Sequence, residues 1–184
     1  MRRAPLLLTA ASGLAACADF LGGPVIYPPD LTPYSPGFPQ YGARNGVLQV
    51  EVKGQPFPGA DPAAVAGAMA PPIWLQARPV LATSPQAGDG YRVVLVFNPA
   101  RNLSGAAICR GDTPVTPPVN GAPVRASAAY CVGDRYFSQV AGSGPAVTAA
   151  TDPAFRRFGS HLLDTLLPVE QPDRRPDACT PPEC

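Results

Sequence analysis

Histidine and lysine are each used once in this sequence, at His161 and Lys53. Any hydrolase or metal centre that needs an imidazole must therefore recruit His161. Glutamate is nearly as scarce, with only Glu51, Glu170 and Glu183, and the last two lie near the C-terminus. That leaves no pair of glutamates within the expected folded part for glycoside hydrolysis. The aspartates Asp61, Asp89, Asp134 and Asp152 fall at turn or cap positions, where their duty is structural. No serine stands in a Gly-x-Ser-x-Gly elbow, and Gly142-Ser143-Gly144 is too short to cradle a phosphate. No Cys-x-x-Cys pair offers a metal site. The apolar run from Leu6 to Leu14 is roughly half the ~20 residues a membrane span requires. An excess of positive charge is also lacking: removal of Arg2 and Arg3 would leave 12 basic against 13 acidic side chains, where the whole chain has 14 against 13. Such a balance excludes a basic nucleic-acid footprint. The sequence therefore points to a non-enzymatic protein without cofactor or metal.

What is abundant is proline, 26 residues, beside 18 glycines. With 46% hydrophobic residues the chain still has enough apolar material for one domain with a core. Near its start, two arginines precede the run Leu6–Leu14, and small residues lead directly into Cys17. Leu14-Ala15-Ala16-Cys17 resembles the lipobox of bacterial lipoproteins. The resemblance covers the signal and its cysteine only. It implies removal of residues 1–16, acylation (palmitate included) of Cys17, and anchoring to a membrane. Ala18 rather than aspartate after the cysteine implies the outer membrane, on its periplasmic face. Cys109, Cys131, Cys179 and Cys184 remain as an even set, expected to pair as disulfides in an oxidising compartment. Spacing alone leaves three pairings open, with Cys109–Cys131 the natural bridge between neighbouring strands.

In chain order, residues 17–45 read as a proline-rich tether, long enough as polyproline II to reach up to roughly 85 Å. Phe20, Tyr27, Tyr34 and Tyr41 recur within it every seven residues. Seven is no multiple of the polyproline period of three, so the spacing reads first as a coincidence of a short biased segment, with a docking strip for a partner or for the domain's own surface as the alternative. The domain is expected over 46–168. Alternation of Leu48, Val50 and Val52 with polar residues predicts a half-buried strand. Asp61-Pro62 starts a helix that Pro71-Pro72 ends. A second strand is expected over 73–81, with Pro79 placing it at an edge. Tyr91–Phe97 is apolar on both faces and belongs at the sheet's centre. Residues 106–109 are expected as a short strand, and Gly133-Asp134 as the turn of a hairpin. Asp152-Pro153 caps a helix whose stripe is Phe155, Phe158, Leu162 and Leu166. Residues 169–184 read as a loose tail.

The expected fold class is α+β: a small antiparallel sheet of about five to six strands with two helices, the longer at the C-terminal end. The expected function is that of an envelope adaptor or assembly accessory with a protein partner. Two other readings have defined signs. A carrier of a lipid or small apolar ligand needs a cavity of about 300 Å³ or more between Tyr91–Phe97 and the Phe155–Leu166 stripe. A cell-wall hydrolase needs a concave site converging on His161 or Glu51. Trp74, the single tryptophan, is expected in the core.

Overall fold

The computed structural model describes residues 23–31, 33–84 and 87–170. Six strands form one sheet: β1 (Val25–Ile26), β2 (Val47–Lys53), β3 (Arg78–Leu81), β4 (Tyr91–Phe97), β5 (Arg125–Val132) and β6 (Arg135–Ser143), in the spatial order β1-β6-β5-β4-β2-β3. Four helices accompany them: α1 (Gly37–Gly42), α2 (Pro62–Ala68), α3 (Gly105–Cys109) and α4 (Pro153–Leu166). The class is α+β, with the longest helix closing the domain as expected. The sheet is mixed, however, and not wholly antiparallel. β2 runs parallel to both β3 and β4. Parallel neighbours need a crossover long enough to return the chain, and the segment carrying α2 provides it between β2 and β3. An alternating pattern shows that a strand is half-buried but not which way its neighbours run.

Register on β4 follows the sequence closely. Val93, Leu95 and Phe97 enter the main core, while Val94 and Val96 enter a smaller cluster on the other face. α4 lays Phe155, Phe158, Leu162 and Leu166 into the main core, each at most 1% exposed. The Asp152 side chain accepts from Ala154 N–H at 2.8 Å, and Asp61 caps α2 by accepting from Ala64 N–H at 2.9 Å. β3 is the edge strand that Pro79 requires, since proline has no N–H to offer a ladder. Its strand is shorter than expected because Ile73–Leu75 form a 3₁₀ turn.

Two further expectations are overturned. Residues 106–109 are helical: Ser104 caps α3 by accepting from Ala107 N–H at 3.3 Å. The serine was visible in the sequence, but its role as a cap was missed. The second correction concerns the tether. The fold does not begin at residue 46, because residues on both sides of position 32, among them Ile26, Tyr34 and Ala43, pack on the domain. β1 pairs with the outer edge of β6, and Asp30 bridges to Gln139 further along. Proline-rich chain is already extended, so laying it on a free strand edge costs little conformational entropy. Gly142 permits the close approach: a Cβ there would lie 2.7 Å from Ile26 Cδ1 and 2.9 Å from the Val25 carbonyl oxygen. Tyr34 is 1% exposed, and its hydroxyl donates to the Pro168 carbonyl at 2.7 Å. Tyr34 thus docks on its own domain, while Tyr27 and Tyr41 stay 57% and 53% exposed and Phe20 lies outside the described residues.

Candidate functional site

Among the described residues, those singled out in the sequence do not gather into one site beyond the pairing of Cys109 with Cys131. Cys109 and Cys131 form a disulfide with Cα atoms 5.6 Å apart, joining α3 to β5 across the smaller core. Cys17, Cys179 and Cys184 lie outside the described residues. His161 is exposed on α4. Among the described residues, no group of three or more histidine, cysteine or acidic side chains could hold a metal ion. Between β4 and α4, the place where a carrier's cavity was sought, side chains fill the space: Phe97 meets Phe155 with ring centres 6.1 Å apart, and both are fully buried.

Glu51 is held by two cations. Its carboxylate accepts from Lys53 at 2.7 Å and from Arg92 Nε at 2.8 Å. Arg92 is 2% exposed and also donates to the carbonyls of Gly133 and Cys109, each at 3.0 Å. Cys109 is the last residue of α3, so one guanidinium ties β2, the hairpin turn and the helix's C-terminal carbonyl together. Burial alone would raise the Glu51 carboxyl, but the bonds from Lys53 and Arg92 outweigh it and hold the group below its ordinary value. An acid so engaged is a structural anion and a poor general acid at neutral pH. Arg92 was not anticipated as a structural centre. Its signal was a lone charge within an apolar, doubly buried strand.

The notable surface feature lies at the C-terminal end of α4. Pro72, Trp74, Leu167, Pro168 and Val169 line an open groove of about 440 Å³, with Asp164 and Glu170 among its lining residues. Pro71-Pro72 end the chain's approach from α2, and Trp74 follows on the 3₁₀ turn. The last carbonyls of an α-helix have no partner within it. Here two aromatic side chains from distant segments serve this end of α4. Trp74 Nε1 donates to the Leu167 carbonyl at 3.2 Å, and the Tyr34 hydroxyl reaches the next one, Pro168. Trp74 is therefore half-buried, packed against the main core on one side and lining the groove on the other.

The rim of that groove is unusually apolar for a surface. Ile73, between two lining residues, is 93% exposed, and Val169 is 58% exposed. Desolvation raises the Asp164 carboxyl above its ordinary value and outweighs His161, which acts in the opposite sense. The groove thus pairs an aromatic and proline floor with carboxylates, one of which is uncomfortable when charged. That combination suits an apolar segment that brings its own cation. Comparison with protein-family models, curated proteins and solved structures finds no match for this chain, so no enzyme family is identified.

Proposed function

We propose that this chain is a membrane-anchored periplasmic lipoprotein that works as a non-enzymatic adaptor, holding an envelope protein through the Trp74 groove. The observation that carries the reading is the exposed apolar rim of Ile73 and Val169 around Trp74. Exposed apolar area of this kind, beside the partly desolvated Asp164 carboxylate, is a feature of interaction surfaces. The partner segment presents an apolar side chain to Trp74 and an arginine or lysine to Asp164 and Glu170.

Leu14-Ala15-Ala16-Cys17 supports the location, the outer membrane's periplasmic face with acyl chains on Cys17. Because β1 is fixed to β6 from Val25 on, no more than residues 17–24 separate an anchored Cys17 from the domain. At ~3.6 Å per residue these span at most about 29 Å, well short of the reach a free tether to residue 45 would have. The adaptor therefore works close against its membrane.

A photo-crosslinker at position 73, in intact envelopes, tests the partner. One protein should be trapped there and not from position 119, where Val119 is also exposed. Asp164→Arg with Glu170→Arg should abolish the product without lowering thermal stability. Equal trapping from both positions, or none from position 73, rejects the adaptor. The anchor is tested separately by acyl labelling of the wild-type chain and of Cys17→Ala, and an unlabelled wild-type chain rejects it.

A further inference from the structure

The face of the sheet opposite α4 is only partly covered. α3 and the disulfide cover Val94, Val96, Ala129 and Cys131. Beyond them a furrow follows β6, made of two adjoining hollows of about 490 and 210 Å³ that share Tyr27, Asn102 and Ala141. One wall is the N-terminal arm from Tyr27 to Asp30, and the other is the loop that follows β4. β5 and β6 form the floor.

The polar side chains along this furrow are of two kinds: Asp30, Gln139 and Arg101 are already engaged by Tyr136, Gly105 and Asp112, and Ser127, Asn102 and Arg125 are not. Ser127 is 6% exposed, lines the smaller hollow, and its hydroxyl has no hydrogen-bond partner among the described residues. The side chains of Asn102 and Arg125 likewise have none, whereas nearby Arg101 is held by Asp112 at 3.1 Å. Tyr27 offers a ring that is 57% exposed, and its backbone N–H donates to the Ala141 carbonyl at 2.9 Å, which fixes the wall to the floor. Asp30 is the one carboxylate in the lining, and it already accepts from the Tyr136 hydroxyl at 3.2 Å.

We propose that this furrow binds an acidic saccharide. The C–H face of a pyranose carries partial positive charge and stacks on the negative face of the Tyr27 ring. The planar fork of Arg125 takes the sugar's carboxylate in two parallel hydrogen bonds. Ser127 and Asn102 meet the hydroxyls. A peptide strand fits less well: β5 and β6 spend their backbone groups on each other, so the floor has no free edge to extend. Cleavage is not expected, because glycoside hydrolysis needs two carboxyl groups and the furrow holds one. The assignment depends on neither the anchor nor the Trp74 groove, since the furrow's lining shares no residue with that groove.

Titration calorimetry on the full chain tests it, with tetragalacturonate as the acidic glycan, chitotetraose as a neutral one and tetraglutamate as a peptide carrying the same charge. Tetragalacturonate should bind in the millimolar range or tighter, and at least about tenfold more tightly than either control. Tyr27→Ala and Arg125→Ala should each weaken it about tenfold or more. Tyr27→Phe, which keeps the ring, should bind as the wild type does, so that loss in Tyr27→Ala is not mistaken for loosening of β1. Absence of tetragalacturonate binding, indifference to both alanine variants, or equal binding of either control would overturn the proposal.

Discussion

Arg92 shows how one polar side chain can organise an apolar strand. Its guanidinium and the Glu51 carboxylate were both removed from water, a cost recovered only because every contact is a charge-assisted hydrogen bond. Arg92→Met should therefore destabilise by about 3 kcal/mol, the lower end of the range for breaking a buried pair, since Glu51 keeps Lys53. Denaturant unfolding measures it, and the Glu51→Leu, Arg92→Met double variant should recover part of the loss. The same carboxylate sets an acid response. Its folded-state pKa lies below the ordinary 4.5, so its contribution is complete above that value and is lost as pH falls through the folded-state pKa. Asp164 has the opposite sign. Its raised pKa means that the charged form is disfavoured in the fold, so the cost is present at neutral pH and vanishes in acid. Asp164→Asn should raise the melting temperature at pH 7, with the gain disappearing below the ordinary carboxylate range. A gain that persists in acid would show that the residue's charge is not its cause.

At the scale of elements, the disulfide and β1 do different work. Cys109–Cys131 closes a loop with a sequence separation of 22 across the smaller core. Constraining the unfolded chain in this way contributes on the order of 3 kcal/mol. Replacing both cysteines by serine should lower the melting temperature by roughly 10 °C for a domain of this size. A shift below about 2 °C would mean that packing in the smaller core, and not loop closure, dominates there. β1 depends on a close approach, and its weak point is Gly142. A methyl group at that position meets Ile26 and the Val25 carbonyl, so Gly142→Ala should free the arm. Hydrogen exchange at Tyr27 and Asp30 N–H, which donate to Ala141 and Gln139, should then rise while β4 stays protected. Uniform exchange across the sheet would instead indicate global destabilisation.

For the molecule as a whole, much of the order was legible in the chain. The double-faced pattern of Tyr91–Phe97 located the sheet's centre, and Pro79 located an edge. Caps at Asp61 and Asp152, the Gly133-Asp134 turn and the Phe155–Leu166 stripe all stand where local chemistry put them. The disulfide between Cys109 and Cys131 was also among the expected pairings. The parallel strands were not legible, because alternation is blind to strand direction. The docked arm was not legible either. Proline density describes a free chain well, and nothing local says that β6 leaves an edge open for it or that Gly142 lets it close.

The groove at Trp74 has the same origin. Its floor joins residues 72–74 to residues 167–169, and only the fold brings these stretches together. Ile73 became exposed because the 3₁₀ turn aims Leu75 inward and leaves its neighbour on the rim. The sequence by itself determined the class of fold, the succession of β2 to β6 with α2 and α4, the disulfide candidates and the resemblance of its start to a lipobox. These follow from near neighbours in the chain, through periodicity, capping and turn chemistry. The tertiary structure alone decided that the N-terminal arm belongs to the domain, that Arg92 binds three elements, and where uncommitted polar and apolar side chains gather. Those are consequences of contacts between residues far apart in sequence, which no local pattern encodes.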